Sequence, residues 1–310
     1  MLRKTLPFLT YLSIFNYRVT AEGDIIGIDD TEIIQIARQY GVAPIMLLST
    51  LAESGSLEIA FSIFYNQDLV DRLIDNILNI LKTNGYYGLN VPFRYIDEDS
   101  RQVYDNYIKK LTSRLNNEGF PVFITLTPLT LYDENEITFD RVDYSGIGQV
   151  ATGIIVLSYN WGYSFGPPAA VTSVFIARNF LDYAVTMIPP EKIYVGLPII
   201  GYDWQLPYEI GVSRANSIST DSAIALAYEV GATIKYDETS QAPFFEYVDN
   251  SYGVPKRHIV WFKDARSVNT IVNLVPEYGF QGAGIWNIMN FFPQMWLVIN
   301  SQYKIETVLI

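Results

Sequence analysis

Short apolar runs alternate with amphipathic stretches from one end of the chain to the other, and this alternation is the strongest constraint on its fold. Continuous apolar runs suit strands buried on both faces, whereas apolar residues spaced three and four apart mark one face of a helix. The strand-like runs are Leu9–Tyr17, Ala43–Thr50, Gly88–Phe93, Val122–Thr127, Gly153–Tyr159, Lys192–Ile199 and Gly282–Asn287. The clearest helical stripe puts Leu69, Val70, Leu73, Ile74, Ile77, Leu78 and Leu81 on one face, with Asp68 in the cap region. Similar stripes run through Tyr104, Tyr107, Ile108, Leu111 and Leu115, ending at Gly119, and through Ile176, Phe180, Leu181, Ala184 and Val185, ending at Pro189-Pro190. Repeated strand-then-helix order predicts a parallel sheet, and the fold class expected is an α/β TIM (β/α)8 barrel. A closed barrel of that type needs eight strands, and the runs above supply seven. The expectation is that the first barrel strand lies upstream, or that a segment near the C-terminus fills the gap.

The stretch between the last two strands reads differently. It holds one helix around Asp221–Val230, short strands around Thr233–Tyr236, Phe244–Val248 and Ile259–Phe262, and a second helix from Ala265. Residues 1–204 and 280–310 are therefore expected to form the barrel, and residues 205–279 a small α+β insertion on its rim.

Composition narrows the function. With 49% hydrophobic and 17% charged residues the chain can bury a sizeable core, which argues against disorder. A net charge of -12 without a Lys/Arg stripe argues against nucleic acid and anionic membrane surfaces. No segment offers the roughly 18 uninterrupted apolar residues that membrane insertion needs. Met1–Thr10 lacks the apolar region of an export signal, so none is expected. Cysteine is absent, which removes disulfides and thiolate chemistry. The single histidine, His258, excludes a multi-histidine zinc site and leaves a Ser-His-Asp triad only if His258 serves it. No cofactor or metal is expected, although a carboxylate-oxygen metal site stays open. The 23 Tyr and 5 Trp offer apolar faces with one polar handle, as sugar rings require.

Several strings carry a family resemblance. They include Leu9-Thr10-Tyr11-Leu12 with Phe15-Asn16-Tyr17-Arg18-Val19, Asp71-Arg72-Leu73-Ile74-Asp75-Asn76-Ile77, and Leu157-Ser158-Tyr159-Asn160-Trp161-Gly162-Tyr163. Gly166-Pro167-Pro168, Gly196-Leu197-Pro198 with Gly201-Tyr202-Asp203-Trp204, Val260-Trp261-Phe262 with Asp264-Ala265-Arg266-Ser267, and Phe292-Pro293-Gln294 follow in order. Together they resemble the catalytic barrel of glycoside hydrolase family 18, in its branch of spore-cortex-lytic N-acetylglucosaminidases and sporulation-specific glycosylases.

The resemblance implies substrate-assisted retention, in which the substrate's own N-acetyl carbonyl attacks the anomeric carbon and the protein supplies one general acid. In the family that acid is the Glu closing Asp-x-x-Asp-x-Asp-x-Glu on the fourth strand. Aligned on Gly88, this chain has Tyr87, Asn90, Pro92 and Arg94 at those four positions. A guanidinium stays charged and cannot hand over a proton, so Arg94 cannot be the acid. Pro92 removes the neighbouring carboxylate and also a backbone donor, where a distortion of the strand is expected. Asp97, Glu98 and Asp99 follow in a loop and read as a solvated cluster, with relocation of the acid as the alternative. By resemblance, Tyr159 and Asn160 remain as catalytic-site residues. Tyr17, Asn90, Tyr159, Trp161, Asp203 and Trp286 are the implied substrate-binding set, with Trp286 as the floor under the sugar. Tyr17 reads equally as packing, Asp203 as a loop-fixing hydrogen bond and His258 as structural. Trp161, Tyr163, Tyr202 and Trp204 either stack sugars or close the rim.

The implied partner is a glycan containing N-acetylglucosamine, in peptidoglycan, spore cortex or a chitin-like polymer, and the implied setting is the spore or cell envelope of a spore-forming bacterium. Three readings follow: a glycan-binding domain with impaired catalysis, an active retaining N-acetylglucosaminidase using a displaced carboxylate, and a structural or partner-binding barrel.

Overall fold

Side-by-side pairing lets the apolar runs hide both faces, and the strand order follows from it. The computed structural model describes residues 1–48, 62–93, 101–127, 130–133, 136–139, 143–157, 163–251 and 253–309. Two compact units divide the chain. The first comprises Leu2–Val156, Ala184–Tyr194 and the residues from Ile305. Its elements are β1 (Tyr11–Val19), β2 (Ile25–Ile26), α1 (Thr31–Gln39), β3 (Ala43–Leu48), α2 (Gln67–Asn84), β4 (Gly88–Phe93), α3 (Arg101–Asn117), β5 (Val122–Leu126), β6 (Thr130–Asp133), β7 (Glu136–Phe139), α4 (Tyr144–Val150) and β8 (Gly153–Val156).

Within this unit the strands run in the order β2-β1-β3-β4-β5-β8. All neighbours are parallel except β2, which returns antiparallel onto Arg18 and Val19. All six residues of β3 are buried, as expected of a strand covered on both sides. Helix α2 buries Val70, Leu73, Ile74, Ile77, Leu78 and Leu81, the face that the three-and-four spacing predicts. Its cap is Asn66 rather than Asp68: the Asn66 side-chain oxygen accepts from the amides of Asp68 and Leu69 at 3.0 and 3.3 Å. Asp68 sits in the first turn, where a carboxylate complements the helix dipole. Gly85, at φ 75°, ends the helix in the left-handed conformation that glycine adopts without strain. Helix α3 buries Tyr104, Tyr107, Ile108, Leu111 and Leu115 as its stripe predicts.

The second unit comprises Leu157–Tyr183 and Val195–Lys304. It contains α5 (Val174–Ala184), most of β9 (Ile193–Pro198), β10 (Gly201–Leu206), β11 (Asn216–Ile218), α6 (Thr220–Glu229), β12 (Lys235–Asp237), β13 (Ala242–Asp249), β14 (Lys256–Trp261), α7 (Ala265–Val272), β15 (Gly282–Trp286) and α8 (Pro293–Gln302). β9 lies beside β15, and a separate antiparallel sheet runs in the order β11-β10-β14-β13-β12. Phe245, Val260 and Phe262 pack with Ala223 and Ala227 of α6 to form this sheet's core.

All seven runs read as strands are strands, but no closed barrel is found among the described residues. Beyond β1 the sheet continues only into the two-residue β2. A turn through Gly23, at φ 77°, brings Ile25 back beside Val19, a local pairing with little loop-closure entropy against it. The antiparallel sheet also takes in Gly201–Leu206, a segment the sequence reading leaves as a loop after the strand ending at Ile199. Gly201 and Trp204 are its buried positions, and Gln205 is exposed.

Leu73 is fully buried in the α2 face, so Leu73→Ala should destabilise the fold by about 2 to 5 kcal/mol, through lost transfer energy plus the cavity left behind. Chemical denaturation of the two proteins measures the difference.

Candidate functional site

Polar side chains from β1, β4 and β5 meet on one face of the first unit's sheet. Thr125 donates its hydroxyl to Asn90 Oδ1 at 2.8 Å, and Asn90 Nδ2 donates to Ser13 Oγ at 3.4 Å. Beside this chain of bonds, Tyr11, Ser13, Ile45, Phe123, Ile155 and Tyr194 line a cavity of about 30 Å³, room for a single water. Asn90 is 3% exposed, and both polar ends of its amide are bonded to neighbouring strands. The amide thus cross-links neighbouring strands.

Pro92 is two residues further along β4 without distorting it. The β4–β5 register runs unbroken from Leu89↔Val122 through Pro92↔Thr125 to Phe93↔Leu126. Among the described residues, pairing with β3 runs from Ile45↔Gly88 to Leu47↔Asn90.

Tyr17 lies towards the end of β1. Tyr11 and Ser13 line the cavity, and simple alternation sends Tyr17 the same way. Between Phe15 and Tyr17 the register slips, with Phe15 opposite Leu47 and Tyr17 opposite Leu48, so two steps of β1 match one of β3. A bulge of this kind turns the following side chain to the other face. Tyr17 is 2% exposed; its hydroxyl donates to Asp30 Oδ2 at 2.6 Å and accepts from Asn84 Nδ2 at 3.2 Å. Tyr86 donates to the same Asp30 oxygen. Burial, reinforced by the bonds to Asp30, raises the pKa of both phenols above the ordinary tyrosine value. Tyr17 is therefore packed and hydrogen-bonded within the first unit.

In the second unit Asp203, on β10, has both oxygens engaged. Oδ1 lies 2.8 Å from His258 Nδ1, and Oδ2 accepts from the Tyr247 hydroxyl at 2.8 Å. The Tyr247 ring stacks on the imidazole with centroids 4.8 Å apart. The cross-strand pairs Gln205↔His258 and Tyr247↔His258 bring these residues together, so Asp203 is held in a cross-strand network. Trp204 is 1% exposed and donates from Nε1 to the Gly166 carbonyl at 2.9 Å, which closes the rim instead of offering a face to a sugar. Trp286 differs: it ends β15, is 43% exposed, and holds the chain through its carbonyl, which accepts from the Ile199 amide at 3.0 Å.

Residues 43–290 match the profile of Glycosyl hydrolases family 18. The chain belongs to this family. It is 31% identical over 304 residues to the cortical fragment-lytic enzyme of Bacillus subtilis (strain 168), covering 98% of this chain and 70% of that protein. The protein of the same name from Bacillus anthracis is 33% identical over 302 residues, covering 96% and 69%. Among solved structures, the spore cortex-lytic enzyme SleL of Bacillus cereus superposes with a TM-score of 0.90 at 30% identity, over 98% of this chain and 70% of that one. A chitinase from Chromobacterium violaceum, at 22% identity and a TM-score of 0.83 over 96% and 93%, shares the fold.

For this family-18 domain, Arg94, Asp97, Glu98, Asp99, Tyr159, Asn160 and Trp161 lie outside the described residues. Asn90, Pro92 and Tyr17 belong to the first unit, and Asp203 and Trp286 to the second. Among the described residues, no group of three or more His, Asp or Glu side chains could hold a metal ion, and no helix is long and apolar enough to cross a membrane.

Two groups went unread in the sequence. Asp30 is 1% exposed as the acceptor for two tyrosines, and nothing in its local pattern separates it from its exposed neighbour Asp29. Lys263 is 1% exposed, and its backbone carbonyl accepts from the Thr220 hydroxyl at 2.8 Å. Its position directly after the buried Val260-Trp261-Phe262 run was the available signal. Burial pulls the Lys263 amine down to about 8, opposed only in part by Asp264. A base whose folded pKa is depressed is unfavourable below that pKa, and the penalty lifts as pH rises from the folded toward the unfolded value. Lys263→Met should therefore stabilise the protein at pH 7 by on the order of 2 kcal/mol. The gain should shrink between about pH 8 and pH 10.5, as thermal unfolding across that range will register.

Proposed function

We propose that this family-18 domain binds a glycan containing N-acetylglucosamine, of the peptidoglycan or spore-cortex type, and that its hydrolytic power is impaired. The observation that carries the reading is the side-chain content of β4, where Asn90 and Pro92 occupy positions that the family's acid motif gives to carboxylates. Arg94 follows at the position of the general acid. A permanent cation beside the anomeric centre opposes the oxocarbenium-like transition state as well as failing to protonate the leaving oxygen. Retained binding is supported by Trp286, half-exposed at the end of its strand, where barrel folds collect their ligand contacts. In this reading Tyr159 holds the acetamido carbonyl and Asn160 and Trp161 line the same cleft.

The alternative is an active retaining N-acetylglucosaminidase with a displaced carboxylate. It is favoured by identity of 31% to a relative named as a lytic enzyme. A structural or partner-binding barrel has no comparable observation behind it.

Truncating the exposed indole by Trp286→Ala should weaken binding of an N-acetylglucosamine oligomer by about 1 to 3 kcal/mol, in proportion to the aromatic area lost. Calorimetry on the folded variant reads this directly, and unchanged affinity would assign Trp286 to packing.

The unmodified chain should show no appreciable hydrolysis of chito-oligosaccharides or peptidoglycan, because general acid catalysis alone contributes a factor of about 100 to 10,000. Arg94→Glu combined with Pro92→Asp should return detectable turnover in a reducing-end assay. Robust activity of the unmodified chain, lost on mutating Asp97, Glu98 or Asp99, would instead establish a relocated acid.

A further inference from the structure

The turn after Tyr163 presents an aromatic ring to solvent on a tightly held backbone. Three hydrogen bonds from one later segment fix it. Trp204 Nε1 donates to the Gly166 carbonyl at 2.9 Å, the Tyr208 hydroxyl to the Phe165 carbonyl at 2.8 Å, and the Ala215 amide to the Ser164 carbonyl at 2.7 Å. Trp204 and Ala215 are buried, yet Phe165 is 61% exposed. The ring is thus presented to solvent on a backbone with little freedom. A fixed platform of this sort binds without the entropy cost of ordering a loop.

Arg214, the residue before the Ala215 anchor, lies over that ring with its guanidinium carbon 5.3 Å from the centroid. Arg72, Arg114, Arg178, Arg257 and Arg266 each pair with a carboxylate, whereas among the described residues no ion pair includes Arg214. Arg3, Arg18 and Arg38 likewise enter no ion pair among the described residues, and what singles out Arg214 is its place over an exposed aromatic ring. Stacking uses the flat face of a guanidinium and leaves its edge N–H groups free for a bidentate carboxylate.

Resting on the glycan-binding reading above, we propose that Phe165 and Arg214 form an additional subsite for a sugar residue that carries a carboxylate. The ring takes the apolar face of the sugar, and the guanidinium edge takes the anion. The subsite favours peptidoglycan-type strands over neutral chitin-type ones, and offsets locally the repulsion that an acidic protein exerts on an acidic polymer. The carboxylate is either the lactyl group of N-acetylmuramic acid or that of an attached stem peptide.

Titration calorimetry with three probes tests this. They are a tetramer of N-acetylglucosamine, a peptide-free tetramer alternating N-acetylglucosamine with N-acetylmuramic acid, and the same alternating tetramer bearing stem peptides. The natural chain should prefer a carboxylate-bearing tetramer about tenfold at low salt, and the preference should collapse near 1 M salt, where the screening length falls to about 3 Å. R214Q should abolish the preference, R214E should reverse it, and F165A should weaken the anionic tetramers about five- to tenfold. Equal binding of the two anionic tetramers assigns the anion to the lactyl group, and a requirement for the peptide assigns it to the stem. A preference that survives both R214Q and R214E, or no preference in the natural chain, overturns the subsite even if Trp286→Ala still weakens the neutral tetramer. Failure of all three probes to bind the natural chain overturns the glycan-binding reading itself.

Discussion

The parallel ladder from β3 through β4 to β5 has protein on both faces, so each backbone amide inside it has to find its partner in an adjacent strand. Pro92 has no amide hydrogen to offer, yet the β4–β5 register runs unbroken past it to Phe93. The same burial dictates what Asn90 does. A side-chain amide at 3% exposure has to be satisfied internally, and Thr125 and Ser13 provide the partners. With Asn90 and Pro92 in it, β4 is thus well made as a strand.

The second unit shows the complementary pattern. Asp203 and Trp204, both in a string that carries the family resemblance, spend their polar atoms on His258, Tyr247 and the Gly166 carbonyl. What faces outward instead is Trp286 at a strand end and the Phe165–Arg214 pair on a braced turn. Groups consumed by the scaffold hold the surfaces on which the remaining aromatic rings are displayed.

The elements that repeat a simple period were legible in the sequence. The face of α2, the stripe of α3 and the seven strand runs follow from apolar spacing alone, because a long periodic signal outweighs local exceptions. Features that depend on one residue were not. The slip at Phe15 and Tyr17 inverts a side chain without any glycine or proline to announce it, and so Tyr17 read as a plausible ligand. β2 is too short to show a period, and β10 read as a loop because its polar positions face solvent. Lys263 and Asp30 illustrate a further limit: burial of a charged residue is decided by partners distant in sequence, which no local window contains. For the site, Trp286 was legible from its place at the end of a strand, whereas Phe165 and Arg214 become a pair only through bonds linking two segments about 40 to 50 residues apart.

The division of the chain has a consequence for how the molecule is made. The first unit draws on Leu2–Val156, then on Ala184–Tyr194, and finally on residues from Ile305, so it is built from three segments with two interruptions. Gly41 abuts Thr307, with a Cβ placed there only 3.0 Å from the threonine methyl, and Glu306 acts electrostatically on Tyr11 and Tyr194. During synthesis from the N-terminus, the sheet from β1 to β8 emerges long before these covering residues exist. It has to wait partly assembled, with apolar surface uncovered, while the whole of the second unit is translated. Such an interval is when collapsed intermediates are most prone to aggregate, which makes the order of segments along the chain, and not only their final packing, part of what this fold has to manage.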